Sequence, residues 1–189
     1  MTRLHLVRHG PTTVDPTRPQ DQWRLSEEGR EVVQNWAESQ SWPGVRHLYA
    51  SPEVKAMETA AIIAAAAHIP VGTSEGLREL RVPLMASRAE FLNRMEQYLA
   101  GFADPAFEPW EAAQERMGSA IRAIQARHAD ESIAVVSHGR ILTAYLSGLL
   151  HRRLTHREWQ AIGMPDVAVV DLETGHLVRG FAGWEAARP

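Results

Sequence analysis

The chain has no cysteine among its 189 residues, which excludes disulfides, thiolate metal sites and cysteine nucleophiles and leaves the redox compartment unreadable. It also lacks any long apolar run. No stretch approaches the roughly 18 apolar residues of a membrane span, and no basic segment followed by an apolar one marks a signal peptide, so a cytoplasmic location is the default expectation. Nor is there an excess of one charge. The formal net charge is −3, and the basic residues are dispersed rather than gathered into the stripe expected of a nucleic-acid surface. A small-molecule partner is therefore expected, with no nucleic acid and no membrane, and a homodimer is left open. No repeat or low-complexity segment divides the chain, whose length suits one domain, 1–189, with a sizeable core.

Two apolar runs end alike. Leu4-His5-Leu6-Val7 leads into Arg8-His9-Gly10, and Ile133-Ala134-Val135-Val136 leads into Ser137-His138-Gly139. Each reads as a buried strand delivering an imidazole to a loop, and the second is followed by a helical pattern from Arg140. In parallel α/β sheets the loops after strand C-termini converge on a crevice, where glycine amides and a helix N-terminus receive anions. Set side by side, the two ends would surround one phosphate, with Arg8 gripping it and His9 attacking it. An isolated Arg-His-Gly is far more often a solvated strand end. The repetition is what argues for a site.

Between these runs, Pro11 to Leu25 reads as a long loop, and Ser26 opens a helix to about Gln40 whose Glu27 and Glu28 suit its dipole. His47 to Ala50 is a short strand; Ser51 then fits an N-cap and Pro52 the first position of a helix to about Ala67. A brief strand at Pro70 to Thr73 precedes Leu77-Arg78-Glu79-Leu80. Ser87 and Glu90 are spaced as a capping box, and Ala113, Met117, Ala120, Ile121 and Ile124 form one stripe of a helix from Pro109. The Gly101 to Glu108 connection is expected to overhang the site, within a helical insertion at about 84–110. After a helix from Arg140 to about Leu150, Thr155 and Glu158 make another capping box, and a hairpin turns at Glu173-Thr174-Gly175. The histidines His5, His47, His68, His128, His151, His156 and His176 are scattered, so structural roles are expected for them rather than metal ligation.

Leu6-Val7-Arg8-His9-Gly10 together with Val136-Ser137-His138-Gly139 resembles the histidine phosphatase superfamily, the phosphoglycerate mutase-like group. Ala50-Ser51-Pro52-Glu53-Val54-Lys55 resembles that family's serine-proline helix opening, and Leu77-Arg78-Glu79 its acid-bearing segment. The resemblance covers nearly the whole chain. It implies a three-layer α/β/α sandwich with a mostly parallel central sheet, and a phosphatase that hydrolyses small phosphomonoesters through a phosphohistidine on His9. That imidazole would be neutral and held in one tautomer by a backbone carbonyl. By the same resemblance Arg8 and His138 would hold the phosphate and Glu79 would be the general acid, its pKa raised by the phosphate dianion; the amides of Gly10 and Gly139 would add donors, and Thr12 and Thr13 would either donate to phosphate or stabilise their turn. No cofactor and no metal are implied.

Two positions depart from the family's pattern. Lys55 stands where a second arginine is usual, keeping the charge but losing the planar fork. Asp15 stands where an asparagine is common, and its side chain is expected to point away from phosphate. The segment Leu80-Arg81-Val82-Pro83-Leu84 lacks the glycine and aromatic pattern of many mutases and sugar phosphatases of the family, so specificity does not carry over. The alternatives are a phosphoglycerate-type mutase, a phosphatase acting on phosphohistidine in proteins, and a weakly catalytic phosphate-ester-binding or regulatory domain.

Overall fold

The computed structural model describes residues 2–184, so the two ends of the expected 1–189 domain lie outside the described residues. Burial with a period of two organises its centre. In β1 (Arg3–Arg8) Leu4 and Leu6 join one apolar cluster, while Val7 joins a second on the opposite face. β4 (Ser132–Ser137) divides Ile133 and Val135 from Ala134 and Val136 in the same way, and β5 (Asp166–Asp171) divides Ala168 and Val170 from Val167 and Val169. Strands apolar on both faces need cover on both, which is why these segments read as continuous hydrophobic runs.

With β2 (Val45–Ala50), β3 (Val71–Thr73) and β6 (Leu177–Arg179), they form one six-stranded sheet in the order β3-β2-β4-β1-β5-β6. The first four strands run parallel, and β5 and β6 are antiparallel at one edge. Helices α1 (Glu27–Ser39) and α2 (Val54–Ala67) cover one face through Ala37, Ala56, Ala60 and Ile63. On the other lie α3 (Arg88–Leu99), α4 (Trp110–Arg127), α5 (Gly139–Leu149) and the short α6 (His156–Gln160), through residues such as Met95, Met117, Ile121, Ile141 and Trp159. The expected α/β fold with a mostly parallel central sheet is the one observed.

Several local expectations need correcting. Ser51 does not cap α2, which begins at Val54 with Glu53 as its cap residue; the Ser51 hydroxyl is instead 2.8 Å from His138 Nε2. The loop Pro11 to Leu25 contains a single 3-10 turn at Gln20–Gln22. The Gly101 to Glu108 connection does not overhang the site. Its Phe107 is buried against Tyr98, at 5.0 Å between ring centroids, and its Phe102 is exposed. The rim over the site comes from Pro83 to Leu92.

The loop after β1 is seated on the start of α1. Ser26 N donates to Pro11 O at 3.1 Å, and a Cβ on Gly29 would lie 2.3 Å from that same oxygen. Only glycine lets the helix approach so closely. Gly29→Ala gains about 1 kcal/mol of helix propensity, yet the variant is expected to show a lower denaturation midpoint than wild type, because the clash is with backbone. An unchanged or raised midpoint would show that the contact relaxes at little cost.

Candidate active site

Parallel pairing sets Arg8 against Ser137, and His9 N continues the ladder by donating to Ser137 O at 3.0 Å. The loops that follow therefore leave the sheet together, bringing the His9 and His138 rings to 5.1 Å between centroids, edge to face. His9 Nδ1 lies 2.8 Å from Gly10 O. A carbonyl only accepts, so Nδ1 carries the proton and Nε2 keeps its lone pair. Burial, with the positive charges of Lys55 and Arg8 adding to the effect of His138, holds the His9 pKa well below the ordinary imidazole value, which leaves the ring neutral at pH 7.

A cleft of about 800 Å³ opens beside this ring, lined by Arg8, His9, Thr12, Lys55, Glu79, Gly139 and Arg140 among others. Four buried side-chain nitrogens here have no partner among the described residues: Arg8 Nε, His138 Nδ1, Arg140 Nη1 and Trp159 Nε1. Buried polar groups are normally hydrogen-bonded. Such a gathering of free nitrogens next to a neutral imidazole suits an anion. Gly139 allows it, because a Cβ there would meet Arg8 Cζ at 3.1 Å and Trp159 Nε1 at 3.3 Å.

Glu79 is not a solvated surface residue. Its Oε1 accepts from Ile141 N at 2.9 Å and from Leu80 N at 2.9 Å, Oε2 pairs with Arg140 Nε at 3.0 Å, and the α5 N-terminus is thereby capped by a carboxylate. Burial alone would push its pKa up, but Arg140, His138 and the two amides outweigh it and hold the group at about 2. Its segment is fixed from three sides. Glu79 N donates to Glu53 Oε1 at 2.8 Å, the Arg116 guanidinium donates to the carbonyls of Gly76 and Arg78, and Ser137 Oγ donates to Leu77 O. Arg116 is in turn held by both oxygens of buried Glu108, at 2.8 and 2.9 Å.

Lys55 is buried and already engaged, with Nζ 2.6 Å from Glu53 Oε2 and 2.8 Å from Gln20 O. It nonetheless lines the cleft. Thr12 also lines it. Gly10 is a correction: its amide donates to Thr59 Oγ1 at 3.1 Å and is not available to phosphate. Asp15 turns to its own loop, accepting from Thr17 N and Thr17 Oγ1 and pairing with Arg18 at 3.3 Å.

Sequence reasoning missed Arg140, Glu53 and Trp159. Arg140 carried a readable signal, since a cation in the first turn of a helix opposes the dipole and needs a local reason to be there. Away from the site, towards the other end of β2, His47 and His128 stack at 3.6 Å and His47 Nε2 lies 2.9 Å from Glu131. Three ligand atoms of this trio lie within 4.8 Å of one another. The Tyr49 hydroxyl is 2.8 Å from His128 Nε2.

The family model for the histidine phosphatase superfamily (branch 1) matches residues 4–184. The chain belongs to the histidine phosphatase superfamily. This histidine phosphatase is accordingly an enzyme of phosphoryl transfer, of the phosphatase type. It shares its fold with YhfR of Bacillus stearothermophilus, at 22% identity, 97% coverage of each chain and a TM-score of 0.77. A phosphoserine phosphatase from Entamoeba histolytica solved with phosphoserine matches at 22% identity, 96% coverage of each chain and a TM-score of 0.74. A phosphoglycerate mutase from Bacillus anthracis matches at 19% identity over 96% of this chain and 92% of its own, with a TM-score of 0.72. No curated protein sequence matches the chain.

The depressed Glu79 pKa has a measurable consequence. A carboxylate whose folded pKa lies near 2 contributes stability above its unfolded value of about 4.3, and that contribution is lost as pH falls towards the folded pKa. The stability gap between wild type and Glu79→Gln, measured by denaturant unfolding, is expected to shrink steadily between about pH 5 and pH 2. A gap independent of pH would show that the ionised form is not favoured on folding.

Proposed function

We propose that this protein hydrolyses small phosphomonoesters through a phosphohistidine on His9, as one domain whose Pro83 to Leu92 segment lies over the site, with neither metal nor cofactor. The observation that carries the reading is a neutral His9 whose Nδ1 is engaged by Gly10 O, in a site with buried nitrogens that have no partner among the described residues. In-line attack by Nε2 on phosphorus breaks the bond to the alcohol oxygen, and water then attacks the phosphorus and releases His9. Arg8, His138 and the Gly139 amide stabilise the charge on the nonbridging oxygens, and Lys55 adds a point charge behind them. Phosphoserine and phosphoglycerate bound by fold neighbours are esters of this general kind. The soluble, cytoplasmic setting expected from the sequence belongs to the same reading.

Glu79 is the proposed general acid, and Arg140 decides when it can act. In the free enzyme their ion pair keeps Glu79 ionised. A substrate dianion draws the guanidinium towards itself through its free Nη1 and raises the carboxyl pKa, so that a proton is available when the alcohol leaves. A weakly catalytic, phosphate-binding role is the second reading, favoured by the engagement of Lys55 with Glu53 and Gln20.

Rapid quenching with phosphate-labelled substrate is expected to trap an acid-labile, alkali-stable phosphoenzyme that is missing in His9→Ala. Undiminished label in that variant would remove His9 as the nucleophile, and absence of label and turnover in wild type would favour the binding role. For Arg140→Met, the loss of a charge-assisted contact is expected to lower kcat/KM about ten- to a hundredfold. The alkaline limb of its pH profile, which follows loss of the acid's proton, should move to higher pH as the Glu79 pKa rises. Arg140→Lys should keep the limb near its wild-type position. An unmoved limb in Arg140→Met would uncouple Arg140 from the acid.

A further inference from the structure

Large apolar side chains seldom gather in water around one opening, and when they do they commonly mark a ligand site. Val14, Leu84 and Met164 are 64%, 73% and 42% exposed, among the most exposed large hydrophobics of the described residues, and all three line the cleft that contains His9. They come from three separate segments: the loop after β1, the stretch following Glu79, and the turn before β5. Behind them Phe91 and Trp159 meet edge to face at 6.0 Å between centroids and form an aromatic wall. Besides Arg88, the charged residues lining the cleft are Arg8, Lys55, Glu79 and Arg140, with neutral His9 beside them.

A second cleft adjoins on the far side of Glu79 and Arg140, but its lining does not include His9. Two of its arginines are committed, Arg78 to Glu75 at 2.6 Å and Arg116 to Glu108 at 2.8 Å. Glu79, Arg140 and Leu84 line both clefts, whereas His9, Phe91, Trp159, Val14 and Met164 line the first. The cation beyond the phosphate end is Arg88 at the rim, exposed and screened by water.

Resting on the hydrolase reading above, we propose that the substrate is the monophosphate of an apolar alcohol, whose hydrocarbon or aromatic body lies between the Phe91–Trp159 wall and the Val14, Leu84 and Met164 rim. A compact, doubly charged ester such as phosphoserine or 3-phosphoglycerate would leave that surface uncovered. Specificity then comes from burial of apolar area outside the phosphate site, and each methylene removed from water contributes about three- to fourfold.

The test uses n-alkyl monophosphates from ethyl to octyl, kept below their micelle concentrations, because their alcohols differ little as leaving groups. In the intact enzyme kcat/KM is expected to climb about three- to fourfold per methylene over the first several carbons and then level off as the chain leaves the cleft. The Leu84→Ser/Met164→Ser double variant, changed only at the exposed rim, should lose far more activity on hexyl than on ethyl phosphate. A flat series, or a preference for 3-phosphoglycerate and phosphoserine that Arg88→Ala removes, would overturn the proposal.

Calorimetric titration with hydrolysis-inert n-alkylphosphonates reads the same slope without turnover. A rising affinity with no hydrolysis of any ester would sink the hydrolase reading and leave the apolar cleft standing; a flat affinity with hydrolysis intact would do the reverse. Phosphate release from phosphatidate in phosphatidylcholine vesicles is expected to be negligible beside the soluble esters. Release from vesicles alone would overturn assignment to a free small molecule.

Discussion

Every distance at the site depends on the register of β1 against β4. With Arg8 opposite Ser137 and His9 N donating to Ser137 O, both strands end at the same level and both imidazoles emerge from the sheet at one point. A slip of one residue would send Val7 and Val136 to the wrong face and carry the histidines with them. The geometry of the candidate site is thus protected by the core. The apolar alternation that buries these strands on both faces also fixes where the loops begin.

Upon that frame, electrostatics rather than shape determines the state of each group. His9 is stripped of charge by burial and by neighbouring cations, while Glu79, partly buried, stays charged because a guanidinium and amides at the start of α5 are aimed at it. Two groups in one cavity are driven in opposite directions by what faces them. The carboxylate also holds the start of α5, whose next element, the Thr155–Glu158 capping box, leads into the aromatic wall.

Much of this was legible in the sequence. The two strand ends, the helix starts at Ser26 and Ser87, and the capping box at Thr155 follow from local rules, because propensity, capping and periodicity act over a few residues. The roles of Ser51 and Gly10 were misjudged for the opposite reason. Ser51 is claimed by His138, 87 residues away in sequence, and the Gly10 amide by Thr59, 49 residues away. Local rules rank what a side chain does with its neighbours in the chain and are silent when a distant partner wins. Arg140 was hidden similarly, as a plausible helix residue whose partner Glu79 lies in another segment. The exposed apolar rim left no periodic trace, since Val14, Leu84 and Met164 occupy irregular backbone.

The buried pair formed by Lys55 and Glu53 constrains how the chain can change. Glu53 spends one oxygen on the Lys55 ammonium and the other on the Glu79 amide, and its carboxylate lies 3.6 Å from His138 Nε2. Losing either member strands the other's charge out of water, at a cost of about 3–5 kcal/mol. Substitutions at 53 and 55 are consequently non-additive. Installing the family's arginine at 55 is therefore a two-residue problem: the longer, forked cation must find a new arrangement with Glu53 and Gln20 before it can serve phosphate. An evolutionary path between the lysine and arginine forms runs through both positions, and lysine here is one half of a matched set.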